Sequence, residues 1–360
     1  MMDYYSDKIR AIDAKTRAQE IAFAPLSFQT VLALRDLGML KSISDSGEAG
    51  LTAGEIADKA DVSVYGAKVL LEFALGMGVL KLVPEIREEK YLLSKTGWFL
   101  LEDDMTRVNM DFVNDICYKG AFHLIDSIRS GKPEGLSVFG NWTTIYEALS
   151  SLPEKAKKSW FAFDHFYSDI AFPEALPIVF ARKPRWMLDI GGNTAKWSMA
   201  CCKYNPNIKV TIVDLPGQTA VAEENARVNG LEKRIDTYAG NILASSTVLP
   251  KGADAIWMSQ FLDCFSLKQI TKIITKVVES ANLNTDIWVL EPLWDCQKFQ
   301  ASSFSLQATS IYFTCMANGN SKMYRFQELV DAVEAGGAKL EASHHNLGSN
   351  SYSLLRFCKR

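Results

Sequence analysis

Beyond about residue 181 the apolar positions fall into short runs separated by polar stretches with helical spacing. Residues 186–190, 208–213, 253–260 and 286–292 each read as a buried strand, and 230–241 contains a shorter one ending at Gly240-Asn241. Gln218 to Asn229 has the period of a helix. Strand and helix in alternation predict an α/β fold, a doubly wound and mostly parallel sheet with crossover helices. The first third reads differently. Thr52 ahead of Ala53 to Ala60, with Glu55 placed for a capping box, a turn at Asp61-Val62-Ser63 and a second run from Val64 to about Gly76 predict a helix-turn-helix. Before it, residues 22–38 are apolar on more than one helical face, more than a small domain can bury alone.

Composition narrows the class. The 360 residues are 48% hydrophobic and 22% charged, enough for two domains with ordinary cores. A net charge of −3 gives no attraction for nucleic acid or an anionic membrane, and the second helix of the helix-turn-helix offers Lys68 and no arginine for phosphate or base contact. No apolar run approaches the roughly 20 residues needed to span a bilayer, and residues 1–7 begin acidic and polar, unlike a secretory signal. Seven cysteines, at 117, 201, 202, 264, 296, 315 and 358, form no C-x-x-C pair; they read as reduced thiols of a cytoplasmic protein, with no metal site.

The candidate chemistry starts at Trp186-Met-Leu-Asp-Ile-Gly-Gly-Asn-Thr-Ala195, an apolar strand running through Asp189 into a glycine turn. A second strand follows and ends in Asp214. Two carboxylates at one sheet edge, with Gly191 and Gly192 letting backbone approach a ligand, make a nucleoside pocket in which Asp214 accepts the ribose hydroxyls. A dinucleotide site reads G-x-G-x-x-G so that helix amides face pyrophosphate, and that pattern is missing. Asp189 would repel a pyrophosphate and attract the ammonium of a methionine moiety, which favours S-adenosylmethionine over NAD.

With the strand order, these features resemble the catalytic domain of class I S-adenosylmethionine-dependent methyltransferases. They are similar in particular to the small-molecule O-methyltransferases typified by plant caffeate and bacterial polyketide enzymes. Residues 51–65, 70–80 and 91–97 resemble that family's winged-helix dimerisation domain, so nearly the whole chain is covered. The resemblance implies a Rossmann-like sheet, a winged-helix domain over 1–104, a helical linker over 105–180 that contributes to the acceptor pocket, and a cofactor-binding domain over 181–360. It implies a homodimer built through the N-terminal helices, the alternative being a helix buried under its own catalytic domain. It also implies a cofactor wall of Asp189, Gly191, Gly192, Asn193, Asp214, Leu215, Gly240, Asn241, Ile242, Ser259 and Gln260, with Asn193 adopting positive φ where the family has a further glycine. The acceptor pocket would take Tyr118, Phe166, Tyr167, Tyr312 and Phe313, and its aromatic walls imply a planar or otherwise apolar acceptor, free or carrier-bound.

The chain departs from the family at the proton-handling groups. Where the family reads Leu-His-Asp-Trp, this chain reads Leu262-Asp263-Cys264-Phe265, which puts Asp263 in the position of the histidine base. Ser259 stands for a cofactor-contacting lysine and Asn241 for an aspartate near the adenine. Glu291 is retained, and Ser321 stands where a further acid is expected. Asp263 is the expected base if burial beside Phe261, Phe265 and Glu291 raises its pKa; the other reading makes it a turn or helix-capping residue. His165 is the competing base, its ordinary reading being a satisfied core histidine. Three functions stand: O-methyl transfer to a small aromatic hydroxyl compound in specialised metabolism, a cofactor-binding dimeric scaffold without transfer, and transfer to nitrogen or carbon.

Overall fold

A computed structural model describes residue 4 and residues 6–84, 88–149 and 151–360, the side chains at 165 and 167–169 excepted. The chain forms two compact units, the first ending at Val113 and the second starting at Asn114.

The first unit is helical. Ala11–Ala22 and Ala24–Asp36 lead into Met39–Asp45 and then into the helix-turn-helix, Ala53–Ala60 and Val64–Gly76. The capping box is present: the Thr52 amide donates to Glu55 Oε2 at 2.8 Å and the Glu55 amide to Thr52 Oγ1 at 3.2 Å. Asp61 in the left-handed region (φ 52°) ends the first helix, and Ser63 caps the second. A small antiparallel wing follows, β1 (Leu80–Leu82) with β2 (Tyr91–Leu93), closing a core that contains Leu34, Leu40, Ile43, Ile56 and Leu71. Helix Ala11–Ala22 buries none of its residues, and Ile12, Ile21, Phe23 and Leu26 are all more than half exposed.

The second unit is built on a seven-stranded sheet of β3 (Trp186–Ile190), β4 (Lys209–Asp214), β5 (Ile235–Ala239), β6 (Ala255–Ser259), β7 (Asp286–Glu291), β8 (Ala338–Leu347) and β9 (Tyr352–Lys359), in the order β5-β4-β3-β6-β7-β9-β8. The first five strands are parallel and β9 and β8 add an antiparallel edge. Every residue of β7 is buried, as expected of a strand covered on both faces. The edge pair lies beyond the strands predicted from the apolar runs, because β8 alternates buried and exposed positions and carries His344 and His345. Two anchors fix the sheet laterally. Asp254 Oδ2 accepts the amides of Arg185 and Trp186 at 2.9 and 3.0 Å, tying the start of β6 to that of β3. The Trp197 indole stacks on buried Trp257 with centroids 3.7 Å apart, clamping helix Lys196–Tyr204 to β6. No helix among the described residues is long and apolar enough to cross a membrane.

Replacing Thr52 by alanine removes one side of the capping box while leaving the core untouched. The expected loss is about 1 kcal/mol, read as a lower denaturation midpoint with an unchanged slope; an unchanged midpoint would show that the cap contributes nothing.

Candidate active site

The chain runs β3, β4, β5 in one direction across the sheet and then returns to place β6 on the other side of β3. At that reversal the loops leaving the carboxyl ends of β3 and β6 diverge, which is where open α/β sheets bind ligands. A cavity of about 1130 Å³ opens there, and its lining contains Gly191, Asn193, Asp214 and Asn241 together with Trp160, Tyr312 and Phe313. Cavities for one drug-sized ligand run to ~300–1000 Å³, so this one has room for two small molecules together.

The turn after β3 is held by protein contacts from both sides. A Cβ on Gly191 (φ 77°) would meet the Phe261 ring at 2.3 Å, and one on Gly192 would meet Ile212 at 2.8 Å and Asp189 Oδ2 at 2.9 Å. The glycines are therefore required by the Phe261 ring and by β3 and β4, and not only by a ligand's approach. Asn193 takes φ 46°, as its residue type allows, and buried Ala195 takes φ 67°, a strained conformation for a residue with a Cβ. That strain is held by Asn225 Nδ2 donating to the Thr194 carbonyl at 3.0 Å and the Ala195 amide to the Gly192 carbonyl at 2.8 Å.

The two carboxylates expected to share a pocket face different ways, although the Asp214 charge still reaches Asp189. Asp214 lines the cavity, accepting the Asn193 amide on Oδ2 at 2.9 Å and the Leu215 amide on Oδ1 at 2.7 Å, while burial raises its pKa. Asp189 is turned away, buried beneath Gly192 and accepting the Ser198 hydroxyl at 2.6 Å. Burial pushes it up to about 7 against the pull of that bond. Asp189 and Gly192 thus stand behind the wall, the side chain of the one being directed toward the helix that follows the turn. Leu215, Gly240, Asn241 and Ile242 do line the cavity. Their loop is fixed by Thr247 Oγ1 donating to the Asn241 carbonyl at 2.7 Å and Lys276 Nζ to the Ile242 carbonyl at 2.8 Å.

At the end of β6, Gln260 adopts φ 46° and lines the cavity, and its buried Oε1 has no hydrogen-bond partner. Ser259 lies off the wall, its hydroxyl likewise buried and unpartnered. The next three residues are organised by Glu291 from the end of β7, whose Oε1 accepts the amides of Phe261 at 3.0 Å and Leu262 at 2.8 Å. Its Oε2 is buried without a partner, and Asp263 faces the same small space beside Tyr324. Asp263, 5% exposed, also borders the main cavity. Burial raises the pKa of both carboxyl groups; the Cys264 contact opposes the rise at Asp263, and the Asp263 charge adds to it at Glu291. The backbone beyond is pinned by Asn318 Nδ2 donating to the Cys264 carbonyl at 2.9 Å and the Tyr324 hydroxyl to the Phe265 carbonyl at 2.6 Å.

Of the residues expected to meet the acceptor, Tyr312 and Phe313 line the cavity, with the Trp160 indole donating to the Tyr312 hydroxyl at 2.7 Å. Tyr312 ends helix Gln300–Tyr312, and Phe313 opens the π-helical turn Phe313–Ala317 that follows it. Tyr118 and Phe166 do not line it; the Phe166 carbonyl instead accepts a bond from Asn350 Nδ2. The side chains of His165 and Tyr167 lie outside the described residues. Trp142, Tyr146, Trp160 and Phe163, four of the many aromatic residues in the linker over 105–180, also belong to the wall. The signal was their density between 139 and 163, but helical spacing alone does not separate a wall from a core.

Comparison with known proteins gives these features a setting. A family model described as an O-methyltransferase domain matches residues 122–336, and one described as a Dimerisation2-like domain matches residues 15–91. The 3-hydroxy-5-methyl-1-naphthoate 3-O-methyltransferase of Streptomyces sahachiroi is 31% identical over 75% of this chain and 75% of its own. The L-tyrosine C(3)-methyltransferase of Streptomyces lavendulae is 24% identical over 71% of this chain and 69% of its own. Among solved structures, the S-adenosylmethionine-dependent methyltransferase SibL in its apo form has the same fold, with a TM-score of 0.70 and 21% identity over 94% of this chain and 98% of that one.

Asp189 ties stability to pH. An unfolded aspartate titrates near 3.9, so between there and about 7 the folded chain keeps a proton that the unfolded chain releases. Stability contributed by this group is present below the lower value and lost as pH rises through the upper one, with a limiting slope of ~1.4 kcal/mol per pH unit. Asp189→Asn is expected to flatten the fall in thermal midpoint between pH 4 and 7; parallel curves for the two proteins would show that Asp189 is ionised throughout.

Proposed function

Because the chain belongs to the O-methyltransferase family, we propose that its methyl transfer is directed to a hydroxyl of a small aromatic acceptor, with Asp263 as the base and Glu291 as its partner. The protein is an S-adenosylmethionine-dependent methyltransferase, and the cavity's donors and acceptors fit that cofactor. Asp214 is at the strand end where a ribose diol is received and keeps acceptor capacity beyond its two backbone bonds. The partnerless Gln260 Oε1 is an acceptor for an ammonium or amino group, and Asn193, Asn241 and Ile242 complete that side of the wall. When bound, the cofactor supplies a methyl group on a sulfonium, ready for in-line displacement.

The residues of this chain have three tasks. Trp160, Tyr312 and Phe313 hold a planar ring and exclude water. Glu291 fixes the backbone of Phe261 and Leu262, and with it the position of Asp263. Asp263 accepts the proton of the acceptor hydroxyl at its carboxylate, a task suited to a carboxyl group whose pKa is raised toward neutrality. The observation that carries this reading is the buried Asp263–Glu291 pair, whose Asp263 borders the cavity, since two carboxyl groups sharing one desolvated space hold a proton between them more readily than two charges. A second reading, transfer to a ring carbon, is supported by the Streptomyces lavendulae relative, named for transfer to C(3) of L-tyrosine. Ionising a ring hydroxyl activates both positions, and NMR of the product separates them.

Asp263→Asn keeps the shape of the loop and removes the base. The expected result is a fall in kcat of roughly 10² to 10⁴, loss of the acidic limb of the rate profile, and retained binding of S-adenosylmethionine by calorimetry. Unchanged turnover would remove Asp263 from the mechanism.

The assembly proposed is a homodimer, supported by the Dimerisation2-like match and by the exposed apolar side chains of Ile12, Ile21, Phe23 and Leu26. Light scattering should give the mass of two chains, and the double variant Ile21→Asp with Leu26→Asp that of one. A wild-type protein at the mass of one chain would refute the dimer.

A further inference from the structure

Among the described residues, one side chain donates to the proposed base. The Cys264 thiol reaches Asp263 Oδ1, with Sγ and Oδ1 3.5 Å apart. Both residues belong to the short turn Leu262–Cys264, and both line the cavity. That turn is held at several points. Glu291 Oε1 accepts the amides of Phe261 and Leu262 as the chain enters it, the Cys264 amide donates to the Phe261 carbonyl at 3.2 Å, and Asn318 Nδ2 donates to the Cys264 carbonyl at 2.9 Å. Cys264 is thus fixed at its amide and at its carbonyl, and its side chain starts from a defined backbone. The other titratable groups around Asp263 are Glu291 from β7, Tyr324 and Tyr146.

Three roles are open to a thiol in this place. A small apolar filler would face carbon, whereas this one meets a carboxyl group on a wall open to ligand. A nucleophile would have to ionise, but burial and the charges of Asp263 and Glu291 keep the proton on the sulfur. What is left is a standing donor. The Tyr146 hydroxyl lies close to the same sulfur, which can accept from it while its own proton goes to Asp263. A carboxylate base needs such a donor, because its two oxygens are equivalent and turn about a single bond. A bond to Oδ1 sets the plane of the group and frees Oδ2 for the acceptor's proton. A strong donor would pull Asp263 back toward the ordinary aspartate range, since bonds to the ionised form lower a pKa. A thiol is a weak donor and leaves most of the rise that burial produces.

We propose that Cys264 is a positioning residue for the methyl transfer, its thiol holding Asp263 by Oδ1 and leaving Oδ2 to take the proton of the acceptor hydroxyl. This rests on the reading above that Asp263 is the base. Infrared spectroscopy of the full-length protein reads the contact without an acceptor, because an S–H stretch falls in a window clear of other protein bands and moves to lower frequency when the proton is donated. Subtracting the spectrum of Cys264→Ala or of Cys264→Ser assigns the band among the seven cysteines. The band is expected at low frequency while Asp263 is ionised, rising as acid protonates Asp263, and high at every pH in Asp263→Asn. The carboxyl stretch of Asp263, assigned with the same Asp263→Asn variant, should titrate about one pH unit higher in Cys264→Ala. Cys264→Ser, which restores a donor, should return the midpoint to the wild-type value or below it. A Cys264 band that ignores the titration, or an Asp263 midpoint that is the same with and without the thiol, would overturn the proposal. Turnover of Asp263→Asn decides the reading beneath it separately: a wild-type rate would remove the base, and with it the part of Cys264 in the reaction, whatever the spectra show.

Discussion

The site depends on one buried carboxylate. Glu291 ends a strand whose six residues are all buried, and it accepts the backbone amides of Phe261 and Leu262. Buried amides need partners, and no strand continues past β6 to supply them. The bond therefore sets how the chain leaves that strand. It brings the Phe261 ring onto Gly191 and turns Asp263 to the cavity wall. A single side chain thus couples the ligand-facing turn after β3 to the loop that bears the proposed base.

The same carboxylate sets the electrostatics. Glu291 and Asp263 are both almost wholly buried, and each is easier to protonate for being out of water. An aspartate in water is ionised and only weakly basic at neutral pH. In this setting it acquires the basicity that a histidine has by nature, which is the physical route by which Asp263 can stand in the position where the resembling family has histidine. The contacts of Asn318 with the Cys264 carbonyl and of Tyr324 with the Phe265 carbonyl hold the backbone around it, while the carboxyl group itself accepts only the weak Cys264 thiol at 3.5 Å among the described contacts.

The proposed cofactor side carries three strained residues. Asn193, Ala195 and Gln260 all sit in the left-handed region at the carboxyl ends of β3 and β6, and each turn is tied by backbone bonds to a neighbouring strand or loop. Such conformations persist only when the surroundings over-determine them. Here the stacked Trp197 and Trp257 beneath the turn, and Asp254 at the opposite end of the same strands, supply that rigidity. The wall proposed to receive the cofactor is in this sense preorganised by the sheet.

The sequence alone determined the alternation of strands and helices, the capped helix-turn-helix, the glycine turn and a carboxylate, Asp214, at the end of the second strand, because these follow from periodicity, capping residues and residues spaced closely along the chain. It also marked Asp263 and Glu291, though not their contact with the loop amides. Only tertiary structure decided that Asp189 faces Ser198 and not the cavity, that Gly191 and Gly192 are demanded by Phe261, Ile212 and Asp189, and that Trp142, Tyr146, Trp160 and Phe163 are wall while Tyr118 and Phe166 are not. Which way a side chain points, and which distant residues it meets, is fixed by packing between elements, and no local pattern encodes it.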